Sequence, residues 1–517
     1  MASHVVADQN AIFAFLADPA THRLRGPVKR IDTHGAAVFL AGPEVYKVKR
    51  AVRFAYMDFS TLDKREAACK AEIAANRDNA PGLYLGVVPI TRDGDNLRLG
   101  GAGKVVEWVV HLRRFDEDAT FDRLAERGPL GAAVIRPLAQ AIVAAHRRAP
   151  IRDGRAATQS LRGVLTETVD ELAAAPDIFP PVAIDALRSS LTEAFEHSEA
   201  LLLRRGSEGK VRRCHGDLHL RNIVLVNGEP VLFDAIEFDE AIATSDILYD
   251  LAFLIMDLCE RKLSSDANRL LNEYLWSCDD ELQEIEGLAL LPLFLSLRAA
   301  IRAKVAAARL QLNADGTSMR QEAQAYLDTA RRFLDPRPTR LIAIGGLSGT
   351  GKSVLAAAIA PSLGLAPGAL HVRSDIERKR LSRVERTQPL AAEDYRLEVS
   401  VQVYARLCVL AAVGLRAGRC VVLDATYREE PEREKVERLA MRLRVGFIAL
   451  WLEAPTEILV QRVAMRQGDA SDATAAVVCA QARQDVGRMT WQRLDAGVPF
   501  EQLKVAALEL VTQVELR

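Results

Sequence analysis

The sequence predicts two globular domains: an α+β domain with a small β-rich lobe and a larger helical lobe, then an α/β domain with a parallel sheet. The chain has 517 residues, more than one ordinary core holds. Two prolines one residue apart in Asp335–Thr339 end a helical stretch, and short apolar runs follow them. We therefore expect domains at 1–335 and 338–517, with the first divided into lobes near residues 1–110 and 111–335.

Composition and charge narrow the classes of protein. The chain is 49% hydrophobic and 26% charged, so a disordered or low-complexity protein is excluded. Its 68 Lys and Arg nearly balance its 69 Asp and Glu, for a net charge of -1. No overall field therefore attracts the chain to nucleic acid or to an anionic membrane, and phosphate binding has to be local.

The cysteines and apolar runs bear on location. The seven cysteines are scattered and never form a C-x-x-C pair, which argues against a disulfide framework and a zinc site. No basic segment followed by an apolar core is found near the N-terminus, so no signal peptide is predicted. The apolar runs Leu288–Leu297 and Leu407–Leu415 are shorter than the roughly 20 residues of a membrane span. We expect a cytoplasmic protein without a membrane partner.

Hydrophobic periodicity predicts the elements of the first domain. A β-hairpin joined by Asn227-Gly228 interrupts the helical pattern of Leu130–Phe333. The upstream lobe is predicted to contain one helix, Asp63–Arg77, and the strands Ala36–Leu40, Val45–Val48, Val87–Ile90, Leu97–Leu99 and Val105–Val110. The hairpin strands are predicted at Ile223–Val226 and Val231–Phe233, and a long helical stretch is predicted at Leu295–Phe333.

A phosphate-binding loop is predicted at the start of the second domain. The segment Gly346–Ser353 satisfies G-x-x-x-x-G-K-[ST] and lies between a predicted strand, Leu341–Ile344, and a predicted helix, Val354–Ile359. Such a loop points several backbone N–H groups at one phosphate, and the helix N-terminus adds partial positive charge. A glycine-rich turn that binds nothing is disfavoured by this context. The expected nucleotide-binding residues are Gly346, Ser348, Gly349, Thr350, Gly351, Lys352 and Ser353, with Lys352 at the outer phosphates and Ser353 on Mg²⁺.

Two carboxylates follow predicted strands of this domain. Asp424 ends the apolar run that begins at Cys420, where a parallel strand presents a side chain at the sheet edge. We expect it to orient Mg²⁺, with a turn cap as the alternative. Asp375 follows His371–Ser374 and is the candidate general base, because transfer to a hydroxyl needs a proton acceptor.

Arg462 and Arg466 stand four residues apart and so share a helix face, and a flexible segment, 467–472, follows them. Guanidinium groups in such a lid would stabilise transferring phosphoryl charge. From spacing alone, a solvated arginine face is equally compatible.

From Arg340 to the C-terminus, these residues resemble P-loop kinases, a group that includes polynucleotide 5′-hydroxyl kinases, zeta-toxin-like kinases and kinases of the gluconate type. The resemblance implies kinase chemistry and leaves the acceptor open among sugars, nucleic-acid ends and antibiotics. The basic run Arg373–Arg386 would suit nucleic-acid phosphates, although such a run is more often a solvated helix face.

A second catalytic constellation is predicted in the first domain. His215–Asn222 contains Asp217 and leads into the hairpin, and Asp234 follows the hairpin. In kinase chemistry Asp217 would accept the hydroxyl proton, and Asn222 and Asp234 would hold Mg²⁺. His215 is interpreted as a buried residue that orients the loop.

This constellation resembles the aminoglycoside and choline phosphotransferase family, whose fold is that of the protein kinases, over roughly Ile31–Arg332. It also resembles a bacterial subgroup in which that domain is fused to a P-loop kinase. The resemblance implies that Lys47 holds the nucleotide phosphates, that Glu72 pairs with it, and that Glu107 and Val109 of a hinge-like strand bind nucleotide. Lys49 remains an alternative to Lys47, because side chains alternate on a strand and these two therefore face the same way. Glu66 likewise remains an alternative to Glu72. A glycine-rich G-x-G-x-x-G is absent, which favours small-molecule phosphotransferases over protein kinases.

The hypothesis is a cytoplasmic, bifunctional phosphotransferase that uses ATP and Mg²⁺ in each domain to phosphorylate a hydroxyl of a small molecule. Two alternatives stay open: one domain binds nucleotide only to regulate the other, or the second domain is a nucleic-acid 5′-hydroxyl kinase. The sequence leaves both acceptors and the oligomeric state undetermined.

Overall fold

A computed structural model describes residues 4–54, 57–310, 316–465 and 470–512. The chain divides into two compact units, one comprising Met1–Val164 and Leu202–Asp257, the other Leu165–Leu201 and Leu258–Arg517. The proline-containing segment predicted as a domain boundary therefore lies inside the second unit.

An antiparallel sheet in the order β1-β2-β3-β6-β4-β5 forms the N-terminal part of the first unit. Its elements are α1 (Asn10–Ala17), β1 (Lys29–Asp32), β2 (Ala36–Ala41), β3 (Glu44–Lys49), α2 (Leu62–Asn76), β4 (Tyr84–Asp93), β5 (Asn96–Leu99) and β6 (Lys104–Arg113). Helix α1 buries Phe13 and Leu16 with Phe39 of β2 and Val48 of β3. Thr61 caps α2 by accepting a hydrogen bond from the Lys64 amide, which fixes where the helix begins. With this start, Glu72 lies on the buried face of the helix.

Helices dominate the following segment. Its elements are α3 (Phe121–Glu126), α4 (Ala132–Arg148), α5 (Gly154–Ala173), α6 (Pro181–Ser207), β7 (Val211–Arg213), β8 (Ile223–Val226), β9 (Glu229–Leu232), α7 (Glu240–Ala243), β10 (Thr244–Asp246) and α8 (Ile247–Glu260). Strands β8 and β9 form the expected hairpin, and its turn residues Asn227 and Gly228 both have positive φ, as a tight hairpin turn requires. The short strands β7 and β10 pair antiparallel.

The remainder of the second unit continues with four helices and then an α/β arrangement. Its elements are α9 (Ser264–Ser277), α10 (Glu281–Gly287), α11 (Leu291–Leu310), α12 (Gly316–Arg332), β11 (Arg340–Gly346), α13 (Lys352–Ile359), β12 (Leu370–Arg373), α14 (Ser374–Leu381), α15 (Leu397–Arg416), β13 (Val421–Asp424), α16 (Glu430–Leu443), β14 (Gly446–Glu453), α17 (Thr456–Ala464), α18 (Ala475–Ala482), β15 (Gln492–Asp495) and α19 (Phe500–Thr512). The long helical stretch predicted before the prolines corresponds to α11 and α12.

Five parallel strands in the order β12-β13-β11-β14-β15 form the sheet of this part. The central strands β11 and β13 are buried along their whole length, which explains their nearly continuous apolar sequence. Asp424 pairs in register with Ile344 on one side and with Arg373 on the other. The carboxyl ends of three strands therefore meet at one edge, beside the glycine-rich loop.

Helix α9 closes the outer edge of β12 with two asparagine side chains. Asn272 Oδ1 accepts a hydrogen bond from the His371 amide at 2.8 Å, and Asn268 Nδ2 donates to the Ala369 carbonyl at 2.9 Å. These side chains satisfy strand groups that would otherwise be unpaired at a sheet edge. The packing explains why residues from 258 onward group with the parallel sheet.

Among the described residues, helix α15 is long and apolar enough to cross a membrane by length and composition alone. A core helix passes the same test. In the structure its Val403, Leu407 and Leu410 are buried, and the helix contacts β12 and β13.

Candidate active sites

The loop between β7 and β8 presents Asp217 next to Asn222. The Asn222 side-chain amide donates to Asp217 Oδ2 and to the Asp217 carbonyl, both at 3.0 Å. His219 Nε2 lies 3.4 Å from the same carboxylate, whose side chain is 39% exposed. Because Nδ2 of Asn222 is turned toward Asp217, its Oδ1 is left as an oxygen ligand. The loop thus holds an accessible carboxylate in a fixed orientation.

The buried carboxylate of Asp250 holds this loop in place through hydrogen bonds to its backbone. Asp250 accepts hydrogen bonds from the backbone amides of Gly216 at 2.8 Å and His215 at 3.4 Å. His215 Nε2 donates to the Phe233 carbonyl at 2.9 Å, and burial lowers the pKa of its imidazole, so a neutral ring links the loop to the hairpin. His146, Cys214 and Asp250 also converge closely. The hydrogen bonds from the backbone amides to Asp250 indicate that this cluster of three residues has a structural role.

Asp234 follows β9 and is held from three directions. The Phe233 amide donates to the Asn222 carbonyl at 3.0 Å, which brings the two ends of the hairpin together. The Asp234 amide donates to the Tyr84 hydroxyl at 3.0 Å, and the next amide donates to Asn76 Oδ1 at 2.8 Å. Asp234 has φ of 61°, a conformation that costs energy outside glycine. The fold therefore positions this carboxylate at a specific point.

Both strand lysines reach the same glutamate. Lys47 Nζ lies 2.9 Å from Glu72 Oε1 and 2.6 Å from Asp234 Oδ1, whereas Lys49 Nζ lies 2.5 Å from Glu72 Oε2 and also contacts Glu237. Lys47 is the lysine that contacts Asp234, which directly follows Phe233, the residue whose amide donates to the Asn222 carbonyl. Glu66, the alternative to Glu72, instead pairs with Lys70 on the exposed side of α2.

The charges of this cluster stabilise one another. Burial alone would lower the pKa of the Lys47 ammonium, but the carboxylates of Asp234 and Glu72 raise it well above its ordinary value. Burial alone would raise the pKa of Glu72, but the two ammonium groups lower it. Lys47 and Glu72 are therefore both charged at neutral pH.

Glu107 and Val109, which were predicted to bind nucleotide, both lie within strand β6. Val109 lies inside β6 and pairs with Val48 on one side and Val88 on the other, so neighbouring strands use its backbone groups. The buried Glu107 carboxylate accepts from Arg65 Nε at 2.9 Å and from Gln9 Nε2 at 2.7 Å. Strand β6 continues to Arg113, which puts the end of the strand later than the sequence suggested.

The glycine-rich loop of the second unit curls between β11 and α13 as predicted from its motif. Gly349 and Gly351 have φ of 89° and 88°, values that residues other than glycine rarely adopt. A Cβ at Gly349 would lie 2.8 Å from the Leu459 carbonyl, so α17 packs closely over the loop. Thr350 Oγ1 and Lys352 Nζ both donate to the Leu347 carbonyl, at 2.8 and 2.9 Å. These bonds hold the loop closed beneath the start of α13.

Asp424 lies beside this loop in a positively charged setting. His371 Nε2 lies 3.3 Å and Arg373 Nε 3.4 Å from Asp424 Oδ2, and Arg373 also donates to Ser353 Oγ at 3.0 Å. Burial alone would raise the pKa of Asp424, but the hydrogen bond from His371 and the charges of Arg373 and Lys352 hold it well below its usual range. Asp424 is thus an ionised carboxylate that shares Arg373 as a partner with the Ser353 hydroxyl, and both groups are oxygen ligands of the kind that Mg²⁺ prefers.

Asp375 lies in the first turn of α14, directly after β12. Its side chain is half-buried and forms no hydrogen bond or ion pair with the described residues. An unpaired carboxylate at the carboxyl edge of the sheet is chemically suited to accept a proton.

Arg462 and Arg466 are the two arginines predicted to belong to a lid. Arg462 lies on α17 and forms no hydrogen bond or ion pair within the described parts of the chain, whereas Arg466 lies outside the described residues. Asp472 accepts from Lys379 Nζ, the Leu390 amide and the Tyr395 hydroxyl, each at 3.0 Å. This carboxylate therefore anchors the segment after the lid to the region around α14.

The structure adds residues that sequence reasoning missed. Gln481 of α18 accepts a hydrogen bond from the Ser348 amide of the phosphate loop at 2.9 Å. A lone glutamine on a short helix carries no local signal for such a contact. His371 and Arg373, the partners of Asp424, belong to the segment before Asp375, and their sequence positions did not indicate a contact with Asp424. The parallel pairing of β12 and β13 brings them to this carboxylate.

Most basic side chains of the run Arg373–Arg386 form hydrogen bonds or ion pairs with other residues of the second unit. Five members donate to protein groups: Arg373 to Ser353, Arg378 to the Asp394 carbonyl, Lys379 to Asp472, Arg380 to the Trp276 carbonyl and Arg386 to Glu273. Arg383 has no such partner among the described residues. The run is therefore largely a structural ion-pair network.

Two family models match different parts of the chain. Residues 130–288 match the model of the phosphotransferase enzyme family, and residues 341–485 match that of the AAA domain. An uncharacterised protein of Mycobacterium tuberculosis is 28% identical over 480 residues, covering 91% of this chain and 93% of the relative. A Mycobacterium bovis protein, also uncharacterised, matches to the same extent.

Two solved structures are each similar to part of the chain. A choline/ethanolamine kinase family protein from Mesorhizobium loti is 14% identical, covers 63% of this chain and 94% of its own, and has a TM-score of 0.39. A gluconokinase from Sinorhizobium meliloti is 21% identical, covers 35% of this chain and 95% of its own, and has a TM-score of 0.25.

The family matches confirm the two resemblances inferred from the sequence, to a phosphotransferase family and to P-loop kinases. The chain combines a kinase-like α+β phosphotransferase domain with a following domain built on a parallel five-stranded sheet, and it is a phosphotransferase.

Proposed function

We propose that the chain is a bifunctional kinase in which each site transfers the γ-phosphate of ATP to a hydroxyl group of a small molecule. One observation supports this above all. Each unit contains a candidate base, candidate oxygen ligands for Mg²⁺ and a lysine, drawn from more than one segment of the chain. The first set is Lys47, Asp217, Asn222 and Asp234, and the second is Lys352, Ser353, Asp375 and Asp424.

In the first site, Asp217 would take the proton of the attacking hydroxyl, since its carboxylate is accessible and oriented by Asn222. Lys47 would bind the nucleotide phosphates. Asn222 Oδ1 and Asp234 would hold Mg²⁺, which supplies positive charge to the phosphate oxygens. The Lys47–Glu72 pair keeps the ammonium in place before the nucleotide arrives.

In the second site, the curled loop and Lys352 would bind the phosphates, and Ser353 with Asp424 would hold Mg²⁺. Asp375 would accept the proton of the acceptor hydroxyl. Arg462, together with Arg466, would approach the transferring group from the lid and stabilise its charge.

The proposed acceptors are small molecules rather than nucleic acid. The basic run that would suit a nucleic-acid backbone is largely occupied by protein partners, which leaves few cations for such a partner. The proposed location is the cytoplasm, with which seven free cysteines are compatible.

The test is a metabolite screen with labelled ATP on the intact chain and on Asp217→Asn, Asp375→Asn and the double variant. We expect each single variant to lower a different set of products about 10²–10⁴-fold, as loss of a general base does. Chelation of Mg²⁺ should remove both sets. Asp93→Asn and Asp335→Asn, at exposed positions, serve as matched controls.

Unchanged product formation in both single variants would overturn the proposal. If calorimetry finds two ATP sites but one substitution removes all products, the alternative of a regulatory domain is selected. Labelling of a 5′-hydroxyl oligonucleotide that needs Asp375 and weakens steeply with salt would select the nucleic-acid kinase.

A further inference from the structure

A cavity of about 410 Å³ lies in the second unit, at the opposite end of the parallel sheet from the phosphate loop. Arg340, the first residue of β11, lines the cavity, whereas Gly346 at the end of β11 begins the phosphate loop. Six residue steps at about 3.3 Å per residue separate these two points by roughly 20 Å. The cavity is therefore distinct from the candidate active site of this unit.

The lining of this cavity is positively charged and rich in hydroxyl groups. It contains three guanidinium groups and no carboxylate among its described residues. The groups that matter are Arg332, Arg337 and Arg340, with the hydroxyls of Ser264, Thr329 and Ser362. One carboxylate stands behind the lining, since Glu260 accepts from Thr329 Oγ1 at 3.0 Å. The formal charge of the surroundings remains positive.

The three arginines differ in how far the protein already uses them. Arg340 is buried and donates to the Val511 carbonyl at 2.7 Å, and Arg332 donates to Thr329 Oγ1 at 2.7 Å. Arg337 is exposed and forms no hydrogen bond or ion pair with any residue that the structure describes. A guanidinium has five N–H donors, so Arg337 and Arg332 retain donors for a ligand.

A fourth arginine stiffens the far wall. Arg419 is completely buried and donates to the carbonyls of Leu365, Ala366 and Gly368, at distances between 2.7 and 2.9 Å. Burial lowers the pKa of Arg419 to about 10, which leaves it protonated at neutral pH. The loop that forms this wall is thus held in one conformation and faces positive charge from behind.

We propose that this cavity binds a small phosphate-bearing anion at a site separate from both candidate nucleotide sites. Guanidinium groups match the oxygens of a phosphate group with paired, charge-assisted hydrogen bonds. The volume falls in the range of small-molecule sites, about 300–1,000 Å³, and suits a phosphorylated metabolite rather than a polymer. Such a ligand joins the segment after α12 to the start of β11, so its binding stabilises the second unit.

The experiment measures binding of inorganic phosphate to the full chain by titration calorimetry. All proteins carry Lys352→Ala, which weakens phosphate binding at the loop. We expect the double variant Arg332→Glu/Arg337→Glu to bind phosphate at least tenfold more weakly than its parent, since it loses the charge-assisted hydrogen bonds of both guanidinium groups and adds two negative charges. Tungstate, soaked into crystals of the parent, should give anomalous density between Arg332 and Arg337.

The matched control is Arg331→Glu/Arg416→Glu, which makes the same charge change at exposed positions outside the cavity. It should bind phosphate as the parent does. Equal affinity in the cavity variant and the control, or no phosphate binding by the parent, overturns the proposal. Arg337→Gln provides a second variant with a single exposed change, and it should weaken binding in the same direction. These readouts require no phosphoryl transfer, so they are independent of the proposed activity.

Discussion

Asp234 Oδ1 lies 2.6 Å from Lys47 Nζ, although 187 residues separate them in the chain. Lys49, two residues along the same strand, contacts Glu72 and Glu237 instead. The two lysines share a face of β3 and both contact Glu72, but Lys47 also pairs with Asp234 whereas Lys49 also pairs with Glu237. This difference divides their expected roles into nucleotide binding and structural support.

We predict that Lys47→Met and Lys49→Met have different consequences. Lys47→Met should abolish product formation at the first site, at least 10²-fold, because the phosphates lose their cation. Lys49→Met leaves buried carboxylates with one counter-ion fewer, and it should lower the free energy of unfolding by about 3–5 kcal/mol. Activity assays in an Asp375→Asn background and urea unfolding measure the two effects. The division of roles is wrong if Lys47→Met retains first-site activity while Lys49→Met loses it without loss of stability.

Gly349→Ala should disable the second site and spare the first. The new Cβ would lie 2.8 Å from the Leu459 carbonyl, and φ of 89° is strained for alanine by about 1–3 kcal/mol. We expect nucleotide affinity at the second site to fall at least tenfold, measured by calorimetry with a non-hydrolysable ATP analogue. Gly163→Ala, in α5 with no atom within 4 Å of the added Cβ, is the control and should be neutral or slightly stabilising. Unchanged affinity in Gly349→Ala would contradict the role of this loop.

Asn272→Leu tests the closure of the sheet edge by α9. The substitution removes the acceptor of the His371 amide and leaves that buried donor unsatisfied. We expect the second unit to lose about 1–3 kcal/mol of stability, which urea unfolding would measure. Gln461→Ala, at an exposed position of α17, should change stability by less than about 0.5 kcal/mol. Equal stabilities of the two variants would show that α9 does not support β12.

A buried carboxylate cluster predicts how stability depends on pH. Glu281 lies 3.4 Å from Arg380 and 3.1 Å from Arg406, and Glu377 contacts the same two arginines. Burial, and then the Glu377 carboxylate, raise the pKa of Glu281 from 4.5 to about 7. The folded chain therefore binds more protons than the unfolded chain between these pH values, so this group's contribution to stability falls as pH rises from 4.5 to 7.

Glu281→Gln should flatten this dependence. The variant and the parent should have similar stability near pH 4.5, and the variant should be more stable at pH 8, by up to about 3 kcal/mol. Urea unfolding across this pH range is the measurement. Glu286→Gln, an exposed change on the same helix, should follow the parent curve. A variant that loses stability as steeply as the parent does would rule out this assignment.

The candidate sites show where sequence reasoning ended. The motif Gly346–Ser353 predicted its own strand, loop and helix, because backbone torsions and neighbouring residues determine a phosphate loop. Nucleotide binding by Glu107 and Val109 stays a prediction; both residues lie within β6, which extends to Arg113. The roles of the individual site residues stay predictions that the variants above address.

Local pattern was sufficient for helix α2 and strands β2 to β6 of the N-terminal sheet, the Asn227-Gly228 hairpin and the glycine-rich loop, since each depends on residues close in the chain. Tertiary packing alone determined which lysine meets Asp234, that His371 and Arg373 surround Asp424, and that α9 closes the edge of β12. These contacts join segments tens to hundreds of residues apart. Hydrophobic periodicity specifies which face of an element is buried but not which distant element covers it.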